Sequence, residues 1–265
     1  MTVPEAKSTA ALLAVEGVTV RFGGIVALDS VSFDVMPGQI CGLIGPNGAG
    51  KTTLFNCLSR LYDCNEGKIR FNGGELTSLP RNSIAGLGIG RTFQNLALFK
   101  TMTVLDNVAV GRHCRTSSGF LANAFRTPAV QREEKASMAK AREMVELLNL
   151  GDVANTRVSD LPFGTQKRVE FARALAAEPI LLLLDEPAAG LNHEEVSQLG
   201  GLIRRIRDQL NITVLLVEHH MSMVMSVSDK VVALNFGRKI ADGTPAEVQA
   251  NSDVIQAYLG TEVTN

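Results

Sequence analysis

The chain has 265 residues, of which 45% are hydrophobic and 20% charged, and its formal net charge is -1. This length suits one large domain, or one domain with an insertion, and it buries enough surface to fold without disulfides or a structural metal. The balanced charge argues against a nucleic-acid or anionic-lipid surface, so no nucleic-acid partner is expected. The cysteines Cys41, Cys57, Cys64 and Cys114 form no CxxC pair, which fits free thiols in a reducing compartment. Ala10 to Val15 is too short for a signal sequence and has no basic leader, and the apolar run Ile180 to Leu184 is too short to span a bilayer.

The elements follow in chain order. Residues 1–11 read as a loose tail. From Leu12 to Val35 apolar and polar residues alternate, as in Val18, Val20, Phe22 and then Val31, Phe33, Val35, predicting antiparallel strands that turn at Gly23-Gly24. Ile40 to Ile44 is a short apolar strand, and a helix is predicted from Lys51 to about Leu61. Lys68 to Phe71 and Gly88 to Phe93 read as further strands, with Gly86, Gly88 and Gly90 as strand punctuation, since their spacing is not G-x-G-x-x-G. Leu105 to Leu150 reads mostly helical, with Met138, Ala141, Val145 and Leu148 on one face. Within it, Arg112 to Lys135 is polar and irregular, like an insertion. Then come a helix over Val169 to Ala177, a buried strand over Ile180 to Leu184, an amphipathic helix carrying Val196, Leu199, Ile203, Ile206 and Leu210, and a strand over Val214 to Val217. Buried strands alternating with helices imply a parallel sheet covered on both faces, here interrupted by a helical middle.

Between the Ile40–Ile44 strand and the helix after it stands Gly45-Pro46-Asn47-Gly48-Ala49-Gly50-Lys51-Thr52, which fits G-x-x-x-x-G-K-[ST]. Glycines let backbone N–H groups turn toward phosphate oxygens, and the helix points its positive end at the same anion. Lys51 supplies a point charge for the β- and γ-phosphates, and Thr52 offers a hydroxyl to Mg2+. The apolar Leu181 to Leu184 ends in Asp185-Glu186. Asp185 suits Mg2+ held through water, and Glu186, one step on, can polarise an attacking water.

Taken together, these motifs resemble the nucleotide-binding subunits of ABC transporters, from about Leu12 to Gly260. The resemblance implies an α/β P-loop ATPase core with an antiparallel β subdomain and an inserted helical subdomain, and ATP and Mg2+ as cofactors. The expected domain spans 12–247, with 12–94 and 166–247 as core, 95–165 as the helical subdomain, and 248–265 as a C-terminal helix and tail. The resemblance also implies that Phe22 stacks on adenine, and that Gln94, in Arg91-Thr92-Phe93-Gln94, touches Mg2+ and the attacking water. The nucleotide site then comprises Phe22, Gly45, Pro46, Asn47, Gly48, Ala49, Gly50, Lys51, Thr52, Thr53 and Gly164. The metal ligands are Thr52, Gln94 and Asp185, and the catalytic residues Glu186, His219 and Gln94.

The family signature Leu-Ser-Gly-Gly-Gln is altered here to Leu161-Pro162-Phe163-Gly164-Thr165-Gln166. Pro162 brings neither the serine hydroxyl nor an N–H. The Gly164 N–H and the helix start after it can still face a γ-phosphate, while Thr165 is either a ligand or the cap of that helix. Ala188-Ala189-Gly190-Leu191-Asn192 matches the loop that packs across a dimer of such subunits. His219 matches the histidine that contacts the γ-phosphate, and His220 stands where relatives usually have Asp. Adjacent histidines could suggest a metal, but neighbours at a strand end are expected to diverge.

Within the family the resemblance is closest to the ATPases of branched-chain amino-acid importers, in their longer variety. It rests on Phe22-Gly23-Gly24, Arg91 to Asn95, the insertion near Arg112 to Lys135, Glu218-His219, Gly243-Thr244-Pro245 and Ala257 to Gly260. The implied partners are two membrane-spanning permeases, a second related ATPase or a copy of this chain, and, indirectly, an extracytoplasmic binding protein. The implied place is peripheral, on the cytoplasmic face of the membrane. Leu96, Leu98 and Phe99 are either contacts to the permease or core residues. Another cargo, such as urea, an amide or a lipid, is the alternative within transport. A soluble ABC ATPase usually has two cassettes or long coiled coils, and a GTPase would carry Asn-Lys-x-Asp; this sequence has none of these.

Overall fold

The computed structural model of the protein describes residues 10–92, 96–115 and 127–259. The chain divides into two compact units, one made of Met1–Arg81 with Val196–Asn265, the other of Asn82–Glu195. In the first unit, β1 (Leu13–Phe22) and β2 (Ile25–Val35) form the expected hairpin, with Phe22 opposite Ile25 across the Gly23-Gly24 turn. β4 (Glu66–Phe71) and β5 (Gly74–Glu75) extend it into an antiparallel sheet in the order β2-β1-β4-β5.

The same unit holds a second layer around β3 (Ile40–Ile44), every residue of which is buried. β3 runs parallel to both β8 (Thr213–Val217) and β9 (Lys230–Asn235), and β10 (Arg238–Gly243) folds back antiparallel on β9. Strands covered on both faces need apolar residues at every position, which is why β3 and β8 read as unbroken hydrophobic runs. Packing over β3 is close. A Cβ at Gly42 would stand 2.5 Å from Val224 Cγ1 of α6 (Met221–Val227), so helix and strand meet only because this residue has no side chain. Burial also pushes the Cys41 thiol up to about 12, against the pull of Lys230, so it sits in the sheet as an inert small hydrophobe.

In the second unit, β6 (Ile89–Arg91) pairs in parallel with β7 (Leu181–Asp185). The helices α2 (Val104–Val110), α3 (Pro128–Leu147) and α4 (Phe163–Ala176) pack on one another. A Cβ on Gly111, at the end of α2, would stand 2.0 Å from the Arg173 carbonyl oxygen of α4. The amphipathic α5 (His193–Leu210) begins in this unit, and α7 (Pro245–Gln249) and α8 (Ser252–Leu259) close the chain. Among the described residues no helix is long and apolar enough to cross a membrane.

Several element ends differ from expectation, each for a local reason. α1 (Lys51–Leu58) stops three residues early because Arg60 turns left-handed (φ 54). The N–H of Leu61 then reaches back to the Asn56 carbonyl and that of Arg60 to Cys57, a Schellman closure without glycine. The expected irregular stretch Arg112 to Lys135 is in part regular. Gly111–Arg115 forms a 3-10 turn, and Pro128 opens α3, whose N-cap Thr127 accepts the Val130 N–H. On α3 and at its cap, Ala141, Met144, Val145 and Leu148 are buried, while Met138 is only half-buried. The signature helix α4 starts six residues earlier than expected, at Phe163, with Pro162 at the N-cap.

One buried polar residue organises the entry to the helical unit. Asn107, fully buried on α2, accepts the Phe99 N–H (2.9 Å) and donates to the carbonyls of Phe99 (2.9 Å) and Thr103 (3.0 Å). Replacing it removes the side-chain partner of the Phe99 N–H and carbonyl and leaves a void at a fully buried position, together costing on the order of 2–3 kcal/mol. Asn107→Ala is therefore expected to lower the unfolding free energy by about 3 kcal/mol, measured in urea. A loss below about 1 kcal/mol would mean that water or neighbouring groups replace the amide.

Candidate functional site

The phosphate-binding motif folds as a tight loop between β3 and α1. Gly45 leaves the strand at φ 154, where a Cβ would stand 2.3 Å from the Leu234 carbonyl oxygen of β9. Gly50, the N-cap of α1, has φ 102, and a Cβ there would strike the Ala27 carbonyl at 2.7 Å. Both positions demand glycine on conformation and on space. Between them Ala49 is buried, while Asn47 and Gly48 are exposed at the crest and Pro46 is half-buried. The β9–β10 turn braces the loop, since the Gly237 N–H donates to the Ala49 carbonyl (3.1 Å) and the Asp29 N–H to the Gly237 carbonyl (2.8 Å).

Lys51 is buried, and its ammonium donates to the carbonyls of Gly45 (2.6 Å) and Pro46 (2.9 Å). The ammonium thus rests on two loop carbonyls, beside the first amides of α1, which have no partner within the helix. Thr52 is exposed on the first turn of α1, with Thr53 half-buried next to it. At the end of β1, Phe22 is 45% exposed and packs against Tyr62 edge to face, with centroids 5.1 Å apart at 73°. An exposed aromatic pair of this kind offers a ring face to a planar base, and a core role for Phe22 is excluded.

The second unit carries the carboxylates. Asp185 closes β7, buried, and its Oδ2 accepts from the Arg91 guanidinium of β6 at 2.8 Å. Both side chains are nearly inaccessible, so this is a buried ion pair that fixes the carboxylate in position. Glu186 is half-buried and has φ 46. A left-handed conformation costs a non-glycine residue roughly 1–2 kcal/mol. Such strain collects where side-chain direction matters.

The altered signature is built differently from expectation. Thr165 does not cap the helix. It sits in the first turn of α4, its N–H bonded to the Pro162 carbonyl (3.0 Å) and its hydroxyl accepting from Arg168 (3.3 Å). Gly164 occupies the second helical position, and a Cβ there would stand 2.7 Å from the Glu195 carboxylate. Gln94 lies outside the described residues. Phe99 is 50% exposed, and Leu96 and Leu98 are half-buried.

His219 follows β8 and its imidazole is exposed, but the expected divergence from His220 does not occur. Glu218, fully buried, accepts the N–H of His219 (3.0 Å) and of His220 (3.2 Å) on one carboxylate oxygen. Those two hydrogen bonds curl the backbone out of strand geometry, and the two rings lie 4.5 Å apart, tilted by 34°. The parts played by Tyr62, Gly237 and Arg91 went unread in the sequence. Each acts through a residue distant in the chain, which no local pattern encodes.

The chain as a whole is similar to known proteins. Residues 28–189 match the family model described as ABC transporter, and residues 238–264 match that of the branched-chain amino acid ATP-binding cassette transporter. The chain is 47% identical to the high-affinity branched-chain amino acid transport ATP-binding protein BraF of Pseudomonas aeruginosa, over 94% of this chain and 98% of that protein. It is 43% identical to LivG of Escherichia coli (strain K12), which has the same description, over the same shares. Among solved structures, an ATP-binding cassette of an ABC transporter in its ADP conformation superposes with a TM-score of 0.83 at 31% identity, covering 95% of this chain and all of that one. A nucleotide-free cassette gives 0.81 at 29%, covering 94% of this chain and 99% of that one.

The buried pair gives a direct test. Arg91→Ala removes the guanidinium that holds Asp185 and is expected to lower the unfolding free energy at neutral pH by about 3 kcal/mol. A loss under about 1 kcal/mol would show that the pair behaves like a surface contact.

Proposed function

The chain belongs to the ABC transporter family, and on that footing we propose that it is the ATP-hydrolysing subunit of an importer of branched-chain amino acids. The observation that carries this reading is identity of 43–47% with branched-chain amino-acid transport ATP-binding proteins over nearly the whole chain, joined by the match of residues 238–264. The subunit works on the cytoplasmic face of the membrane beneath two permeases, paired with a second related ATPase or with a copy of itself. A binding protein outside delivers the cargo. The half-exposed Phe99, with Leu96 and Leu98, is the segment proposed to meet a permease.

The roles follow from the chemistry of each group. The loop Gly45 to Gly50 and the start of α1 receive the phosphates, with Lys51 trading carbonyl oxygens for phosphate oxygens. Phe22, with Tyr62 behind it, takes the adenine. Thr52 and Asp185 are hard oxygen donors of the kind Mg2+ prefers, Asp185 being held in place by Arg91, and Gln94 is the third proposed ligand. The bound Mg2+ supplies neutralisation of phosphate charge. Glu186 polarises the attacking water, and His219 contacts the γ-phosphate. Gly164, in the first turn of α4, faces the nucleotide of the companion subunit. ATP bridging two subunits has higher affinity for their closed arrangement, and hydrolysis removes that preference.

Glu186→Gln keeps the shape of the side chain, replaces one acceptor oxygen with an NH2 donor, and removes its basicity. It is expected to bind ATP as the unaltered protein does while hydrolysis falls by about 100-fold or more. A host strain that depends on this chain for uptake of labelled leucine will lose that uptake when it carries the variant. Near-normal hydrolysis would overturn the role of Glu186. Undiminished leucine uptake in a strain lacking the chain would overturn the cargo.

A further inference from the structure

The curl after β8 has a second chemical consequence. Glu218, His219 and His220 each present a ligand atom, and these atoms all lie within 4.8 Å of one another. His219 Nδ1 stands 3.8 Å from Glu218 Oε2. Two ligands of one tetrahedral zinc, at bond lengths of about 2.0–2.1 Å, stand about 3.4 Å apart. The imidazoles, one exposed and one half-buried, would have to rotate toward each other and toward Glu218 to hold one ion.

The donor set is selective. One carboxylate and two imidazoles make a three-ligand set that leaves a fourth position open, and nitrogen donors favour borderline metals over Mg2+. The fully buried carboxylate offers an oxygen donor away from bulk water, and the exposed His219 gives an ion a way in. Histidine at position 220 is what completes the set.

We propose that Glu218, His219 and His220 form a binding site for a divalent transition metal of the zinc class. Its occupancy withdraws His219 from the γ-phosphate and so slows ATP hydrolysis. This second consequence rests on the role proposed for His219 above; metal binding does not.

The test uses the full-length protein without nucleotide and Zn2+ alone, in competition with a chromophoric chelator. The expected result is one Zn2+ per chain, with affinity reduced at least about tenfold in His220→Gln and unchanged in Cys64→Ser. Thermal unfolding without zinc checks that each variant is folded. Should His220→Gln not fold, protection of His219 and His220 from carbethoxylation by stoichiometric Zn2+, read by mass spectrometry, tests the same site in the unaltered protein. Equal zinc affinity in the unaltered protein and His220→Gln, loss of binding in Cys64→Ser alone, or absence of binding or protection would overturn the site. In Mg-ATP turnover, zinc is expected to inhibit the unaltered protein at concentrations about tenfold below those needed for His220→Gln. Binding that depends on His220 without inhibition would uphold the site and overturn the role of His219.

Discussion

At Gly45 the chain leaves β3 with a dihedral that L-residues avoid, and the space a side chain would need is already occupied by the Leu234 carbonyl of β9. The loop proposed to wrap a phosphate starts from this close approach, which follows from β3 and β9 being hydrogen-bonded neighbours in one parallel ladder. The same β9 runs into the turn whose Gly237 N–H holds the Ala49 carbonyl, so one strand sets both the start and the end of the loop. The Lys51 ammonium, resting on the Gly45 and Pro46 carbonyls, keeps the loop polarised for an anion.

The second unit solves a different problem, which is to hold charge in a place that excludes water. Asp185 is tolerated at the end of β7 because Arg91 of the adjacent β6 pairs with it, and β6 in turn is registered on β7 residue by residue. Glu186 then leaves the strand in a strained conformation that an unconstrained chain would relax. Helices α2 and α4 approach within backbone contact at Gly111, and Asn107 ties the loop ahead of α2 to that helix. A carboxylate pinned by an ion pair, as Asp185 is, suits a reaction that works by positioning and charge rather than by covalent chemistry.

Some strands were legible in the sequence because period-two alternation in β1 and β2, and apolar runs in β3, β7 and β8, follow directly from which faces are buried, whereas β5, β9 and β10 went unassigned. The phosphate loop was legible because its geometry demands fixed residues at fixed spacing. Helix ends were not. Arg60 takes a left-handed cap usually given to glycine, Pro162 stands at an N-cap normally held by a hydroxyl or carboxamide, and Thr127-Pro128 starts a helix inside what reads as a polar insertion. Residues whose work depends on a distant partner were hidden for the same reason. Arg91, Tyr62 and Gly237 become meaningful only once strands pair, and the convergence of His219 and His220 follows from Glu218 accepting two consecutive amides.

The most direct measurement of the central claim is equilibrium binding of a fluorescent ATP analogue to Gly45→Ala, with circular dichroism to follow the fold. One added methyl group must displace the Leu234 carbonyl or reverse the dihedral. Affinity is expected to fall by about 100-fold or more, equivalent to roughly 3 kcal/mol, while the sheets stay folded. Binding within about threefold of the unaltered protein, less than roughly 1 kcal/mol, would contradict the dependence of the phosphate site on the close approach of β3 and β9.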